Sequence, residues 1–301
     1  MTNDEATVAV LGPGGVGGLL AALLARAGHR VICLAGPETA GTLRTDGIRV
    51  RSARFGAFTA RVEADTVLRA APDAVLIAVK HTALEASLER IPSPALGDAV
   101  LVPFLNGVEH PALLRAHHRP DRVAPAVIRV ESTRVAPGVV EHTSPFAEVD
   151  LTGDPVPRPR LDALASLLAA AGPTTRVLPD EKAALWAKMA FLAPFALLTT
   201  RYGLPLGEVR ARHRDELTAL VTETAAVSTA DGAPADPAAA LARYDGFPAA
   251  MKSSMQRDAE AGRALELDAI GGALLRAARR HGVPVPVAER VVAELGERAG
   301  A

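Results

Sequence analysis

The sequence predicts an α/β Rossmann-type dinucleotide-binding domain followed by an all-α C-terminal domain. Three observations predict it. The apolar run Val8-Ala9-Val10-Leu11 passes through Gly12-x-Gly14-x-x-Gly17 into the helical pattern Leu19 to Leu24. Short Val- and Ile-rich runs then recur between helical stretches as far as Pro179. From Asp180 onward the β pattern stops. The expected boundaries are therefore 1–179 for the dinucleotide-binding domain and 180–301 for the helical domain, with substrate and dimerisation surfaces assigned to the latter.

Strand, glycine turn and helix is the context that gives this glycine spacing a chemical meaning. Gly12 allows the tight turn, Gly14 lets the backbone approach a pyrophosphate, and Gly17 lets the helix sit close on the sheet. Gly15, inside the same GPGGVGG turn, is counted with them as cofactor-binding. The helix N-terminus offers N–H groups and a positive dipole end to phosphates. A second strand, Arg30 to Leu34, follows the helix, as a βαβ unit requires.

The 301 residues give ample material for two cores. The chain is 49% hydrophobic and 22% charged, with 33 Lys and Arg against 34 Asp and Glu and a net charge of −1. That balance gives no draw toward nucleic acid or a membrane surface. The opening MTNDEAT is polar and acidic, unlike a signal peptide. The one cysteine, Cys33, lies inside the second strand and reads as a buried, inert thiol. A reducing, cytoplasmic location is expected. The eight histidines show no paired metal-ligand spacing, so no metal is expected.

Arg49 to Arg61 alternates apolar and polar residues, as edge strands or a hairpin do. Ala74 to Val79 is a continuous apolar run, the pattern of a buried parallel strand, and Lys80 follows it. Ala99 to Phe104 repeats the scheme and is followed by Asn106-Gly107, itself a turn dipeptide. Strand C-termini line the ligand crevice of open α/β sheets, so Lys80 and Asn106 stand where ligand is expected. Val123 to Val130, Val139 to Thr143, Glu148 to Thr152 and Arg176 to Leu178 read as further strands, and Leu161 to Ala171 as a helix. In the second half, Glu181 to Leu198 reads as a long apolar helix kinked at Pro194. Val209 to Asp231 reads as one helix and Ala233 to Pro248 as a segment containing a loop. Ser253 to Arg263 and Leu265 to Arg280 read as helices meeting near Gly262, with a last helix from Val287 to Arg298.

A dinucleotide domain joined to a helical one argues for an oxidoreductase. Reducing a carbonyl builds negative charge on its oxygen, so a proton donor is required. Lys188 sits in an apolar helix between Ala187 and Met189 and is the candidate, set against a lysine that snorkels to water. Ser254 and Glu266 form a second cluster twelve residues apart. One continuous helix would set them about 120° apart, and a break at Gly262 lets them converge. Taken alone, Ser253-Ser254 reads as a helix cap and Glu266 as a first-turn acid.

The GPGGVGG turn, Lys80, Asn106-Gly107, Leu185-Trp186-Ala187-Lys188 and SSMxxD…GRxxExDAIxG stand in the order seen in ketopantoate reductases, and the chain resembles that family over nearly its whole length. The resemblance implies Lys188 as the general acid that protonates the ketone oxygen. It implies Glu266 as the group that hydrogen-bonds the substrate hydroxyl, helps orient Lys188 and lies against the cofactor. Ser254 would hold the substrate carboxylate, and Asn106 and Lys80 would lie beside nicotinamide and substrate. The implied reaction is NADPH-driven reduction of 2-dehydropantoate to pantoate, a step of pantothenate biosynthesis.

The chain departs from that pattern twice. The asparagines four and eight residues after the lysine are Leu192 and Ala196 here, which makes that helical face more apolar. The arginine after the second strand is replaced by Ala35-Gly36-Pro37, with Glu38 and Arg44 the nearest charges. NADP(H) is expected ahead of NAD(H). The alternatives are a reductase of the same fold acting on a more apolar oxo compound, and a non-catalytic dinucleotide sensor. The expected partner is a small 2-oxo acid, with a homodimer allowed by the apolar helical domain.

Overall fold

The computed structural model describes residues 5–300. The chain forms two compact units: one runs to Leu105 and resumes over His110–Glu181, and the other comprises Asn106–Glu109 and Lys182 onward.

Among the described residues the first unit is built on twelve strands: β1 (Thr7–Leu11), β2 (Arg30–Leu34), β3 (Ile48–Ser52), β4 (Gly56–Ala60), β5 (Glu63–Asp65), β6 (Ala74–Ile77), β7 (Val100–Pro103), β8 (Ala126–Arg129), β9 (Ser132–Ala136), β10 (Val139–His142), β11 (Glu148–Leu151) and β12 (Thr174–Val177). Five of them pair in parallel in the order β5-β2-β1-β6-β7, with Val10 opposite Cys33 and Leu76. The order reverses at β1, and that switch point is where a doubly wound sheet binds ligand. A single parallel bridge from Leu101 to Val123 leads on to the three-stranded β12-β11-β8 sheet. A separate sheet, β4-β3-β10-β9, contains the expected hairpin β3–β4.

The central strands are buried on both faces, which is why they read as unbroken apolar runs. Val8, Val10, Val31 and Leu76 join one core with Leu19 and Leu23 of helix Gly15–Arg26 and Leu164 and Leu168 of helix Arg158–Ala171. The alternate residues Ala9, Leu11, Ile32 and Ile77 join the opposite core with Leu84, Ile91 and Leu114. The period-2 alternation of a strand thus assigns each residue to its layer. Cys33 is buried and its thiol is pushed up to about 12 by desolvation, so it is inert as expected.

Two strands escape the sequence reading. β5 has three residues and no apolar run, and it exists through parallel pairing with β2. β9 is mostly exposed and polar, and it exists through antiparallel pairing with β10.

The second unit is helical. Helix Glu181–Tyr202 runs through Pro194 without a break. By length and composition it is apolar enough to cross a membrane, but 72% of its apolar window is buried inside the protein, as suits a core helix. Phe191, three residues before Pro194, gives its carbonyl to the buried Tyr244 hydroxyl, and the two rings stack at 4.5 Å. Tyr244 comes from helix Pro237–Gly246, inside the segment Ala233 to Pro248 that was expected to contain a loop. Its start signal is Asp236-Pro237, and the Asp236 carboxylate accepts from Ala238 N at 2.9 Å. The expected single helix Val209–Asp231 is two, Leu206–Arg212 and Arg214–Ala230, parted at His213. The His213 ring stacks on Tyr202 at 3.5 Å, a contact no local pattern announces.

Candidate functional site

The glycine turn lies at the C-terminal end of β1. Gly12 takes φ +85°, and its N–H donates to Leu34 O of the neighbouring strand at 3.1 Å. A Cβ on Gly12 would meet Val79 Cγ1 at 2.5 Å. A Cβ on Gly17 would fall 2.2 Å from Gly12 O and 3.0 Å from Ala78 Cβ, so only glycine lets the helix approach the strand ends. Gly14 differs, because a Cβ there would meet nothing nearer than Gly12 O at 4.0 Å. Helix Gly15–Arg26 starts with no side-chain cap and no acid in its first turn, which leaves its N–H groups and dipole for an anion. These features fit the pyrophosphate of a dinucleotide.

Gly15 has a second reason to be glycine. A Cβ on it would lie 2.2 Å from Ser132 O, and the Ser132 hydroxyl donates to Gly15 O at 2.8 Å. The start of the helix is thus docked on β9. We expect Gly17→Ala to lower the melting temperature, through an overpacking cost of about 1–3 kcal/mol. Gly14→Ala is expected to leave the melting temperature unchanged and to weaken dinucleotide binding about tenfold or more, read by calorimetric titration beside thermal unfolding.

Lys80 is exposed and stands three residues past the end of β6, where it precedes the short turn His81–Ala83. The turn after β2 carries no charged side chain at Ala35, Gly36 or Pro37. Glu38 is exposed in the first turn of helix Pro37–Asp46. Arg44 lies in the last turn of that helix and donates from Nη1 to Ala64 O of β5 at 3.3 Å.

The other predicted residues all lie in the helical unit. The 1–179 boundary puts Asn106 in the dinucleotide domain, but Asn106–Glu109 packs with the helices instead. The reason is local. Gly107 has φ +92°, and a Cβ on it would lie 2.4 Å from Ala269 O. Glu109 receives the Arg276 guanidinium, Nε at 3.1 Å to both oxygens and Nη2 at 2.7 Å to Oε2. Arg276 also donates from Nη1 to Asp268 Oδ1 at 2.7 Å. The hydrogen bonds to Glu109 first, then those to Asp268, raise the Arg276 pKa, so this bridge stays charged. Held there, Asn106 Nδ2 donates to Glu266 Oε2 at 3.0 Å. Glu266 is buried, and burying a carboxylate is costly unless donors meet it.

Glu266 directly precedes an irregular helix start. Asp268–Gly272 forms a π turn that continues into helix Ala273–His281. Such turns recur at functional sites. Two glycines lie in it where a side chain has little room: a Cβ on Gly271 would meet Val292 Cγ2 at 2.5 Å, and one on Gly272 would meet Asp268 Oδ1 at 2.4 Å.

Ser254 opens helix Ser254–Glu260 and is exposed, whereas its neighbour Ser253 is the buried cap, accepting from Gln256 N at 3.0 Å. Thr199 of helix Glu181–Tyr202 donates to Ser253 Oγ at 2.8 Å, which ties the helix carrying Lys188 to the one carrying Ser254. Past Glu260 the chain turns at Gly262, φ +62°. Buried Asp258 closes that turn, its carboxylate taking Arg263 Nε at 2.9 Å and its carbonyl taking Arg263 N at 2.8 Å. The Asp and Gly-Arg of the SSMxxD…GR run are therefore the fasteners of the turn that leads to Glu266. No local pattern announces that role.

Lys188 is half-buried, and Leu192 one turn later is also partly buried. Ala196, by contrast, is fully buried in the helical core with Ala193 and Leu197. Of the two positions where the family's asparagines are absent, Leu192 is thus the one outside the closed core.

A model of the ketopantoate reductase PanE/ApbA family matches residues 8–151, and a model of its C-terminal domain matches 180–299. The chain belongs to the ketopantoate reductase family. It is similar to a 2-dehydropantoate 2-reductase of Caulobacter vibrioides, 31% identical over 97% of this chain and 99% of the relative. It is also similar to an uncharacterized oxidoreductase, YkpB, of Bacillus subtilis, 30% identical over 95% of this chain and 96% of that one. Among solved structures, a PanE/ApbA family ketopantoate reductase from Ralstonia eutropha superposes with a TM-score of 0.86 at 30% identity, covering 95% of this chain and 96% of that one. A D-mandelate dehydrogenase with NADH and anilino(oxo)acetate shares the fold, TM-score 0.89 at 17% identity over 98% of each chain. The protein is therefore an NAD(P)H-dependent oxidoreductase of ketopantoate reductase type.

Proposed function

We propose that this member of the family reduces a 2-oxo acid, 2-dehydropantoate, to the 2-hydroxy acid pantoate, with NADP(H) as cofactor. When bound, the reduced nicotinamide supplies the hydrogen and electron pair that turn the ketone into an alcohol. Gly12, Gly14, Gly15 and Gly17 would hold the pyrophosphate, with Lys80, Asn106 and Glu266 toward the nicotinamide. Lys188 gives its ammonium proton to the ketone oxygen as charge builds there. Glu266 accepts from the substrate hydroxyl and helps orient Lys188, and Ser254 holds the substrate carboxylate. The single observation that supports this best is the buried Glu266 carboxylate met by Asn106 at 3.0 Å. A sensor that only binds dinucleotide has no use for a buried acid and a lysine within one helical unit.

A second reading has a specific observation behind it. Leu192 stands one helical turn after Lys188, where an amide would favour a polar substrate. Side by side, 2-dehydropantoate and 2-oxo acids with purely aliphatic or aromatic tails test the two. Under the first reading 2-dehydropantoate has the highest kcat/KM, and Leu192→Asn raises it further by about two- to tenfold. An aliphatic or aromatic 2-oxo acid turned over at least tenfold better would establish the second reading in its place.

A further inference from the structure

The cofactor of the proposed reaction differs from NADH only by a 2′-phosphate, and enzymes that take it keep an arginine near the end of the second strand of the sheet. No arginine occupies the turn Ala35-Gly36-Pro37. Arg44 lies away from that turn, at the C-terminal end of helix Pro37–Asp46, where Nη1 donates to Ala64 O. A different guanidinium reaches that turn from elsewhere in the chain. Arg90, two residues past helix Leu84–Leu88, donates from Nη1 to Ala35 O at 3.1 Å and to Thr66 O at 2.9 Å. Ala35 directly follows β2 and Thr66 directly follows β5, and the two strands are neighbours. The cation is thereby fixed at the C-terminal edge of the sheet, one residue from Gly36.

Three features suit Arg90 to a dianion. It is partly buried, and among the described residues no carboxylate pairs with it. A partly buried cation without a counter-charge gains strongly from an anionic ligand. The acid beside it is already neutralised: Asp65 binds Arg69 at 2.8 Å, and the hydrogen bond from Arg69 first, then the Thr66 N–H, hold its carboxyl below the usual range. Asp65 is thus engaged and does not act as the free acid that selects a ribose diol. Finally, a Cβ built on Gly36 meets nothing within 4 Å, so the turn leaves room on this side.

We infer that Arg90 is the residue that selects NADPH over NADH, taking the place of the missing strand-end arginine. Nη1 is spent on the two carbonyls, and Nε and Nη2 are the donors offered to the phosphate. Arginine suits this use because its fork stays charged and matches phosphate oxygens in pairs. The inference rests on the nicotinamide reading above and extends it to a named side chain.

The test is equilibrium binding without turnover. Dissociation constants are measured for NADPH, NADH, 2′,5′-ADP and 5′-ADP on the wild-type chain, Arg90→Gln and Arg90→Lys. The glutamine keeps a donor for the carbonyls and loses the charge, and the lysine keeps the charge. The wild type is expected to prefer each 2′-phosphorylated ligand by at least about tenfold. Arg90→Gln should lose about ten- to a hundredfold for NADPH and 2′,5′-ADP, with NADH and 5′-ADP changing less than about threefold, and Arg90→Lys should restore part of the loss. Equal losses for all four ligands would make Arg90 a brace between two loops and overturn the inference, as would a wild type indifferent to the phosphate. If the wild type binds neither NADPH nor NADH, the nicotinamide reading itself fails, a result distinct from either of these.

Discussion

Lys188→Ala is expected to lower kcat by about 10²- to 10⁴-fold, the usual worth of a positioned general acid, while the reduced cofactor binds within about twofold of wild type. The lysine lies on a helix whose neighbouring face, Leu185, Met189 and Ala193, is locked into the core, so its backbone cannot drift. The residue is half-buried, so its four-carbon stem can be replaced by an apolar side chain of similar length. Lys188→Met keeps that volume and removes the proton, and should fall as far as alanine does. Lys188→Arg keeps charge but holds its proton too tightly to give it up near neutral pH, so it should recover little. Steady-state rates beside a cofactor titration read all three variants. A methionine variant with near wild-type kcat would remove the lysine from the chemistry.

The second large effect concerns the pair Asn106 and Glu266. Asn106→Ala and Glu266→Gln are each expected to lower kcat/KM by about tenfold to a hundredfold, and the double variant should be no worse than the weaker single variant. One hydrogen bond at 3.0 Å joins them, so removing either member already spends the interaction. Additive losses would mean that the two act separately. The tether behind them is expected to matter less. Glu109→Gln loosens a partly exposed ion pair with Arg276, and a small displacement of Asn106 should appear in kcat with the melting temperature nearly unchanged.

The Rossmann half was legible because its physics is local. Strands buried on both faces must be apolar throughout, and a helix that crowds a strand end must carry glycine where Gly17 meets Gly12 O. The strands without such a signature, β5 and β9, exist through partners chosen elsewhere in the chain. The helical half was legible in outline only. The long apolar helix with Pro194 inside it was readable, and it runs four residues beyond Leu198 to Tyr202. Ala- and Pro-rich composition hid helix Pro237–Gly246, although Asp236-Pro237 announces its start. The candidate residues carried local signals, namely a lysine between Ala187 and Met189 inside an apolar helix, and a serine pair followed by an acid. Their supports did not. Glu109 and Arg276 lie far apart in sequence, and Arg90 meets Ala35 and Thr66 only because the sheet brings those strand ends together.

The most direct test follows the reduced cofactor spectroscopically while the purified chain is mixed with 2-dehydropantoate, the product being identified by mass spectrometry. The account predicts saturable consumption of NADPH with one pantoate formed per cofactor oxidised, and loss of that rate in Lys188→Met. Tight NADPH binding with no consumption, on 2-dehydropantoate or on any other 2-oxo acid offered, would contradict it.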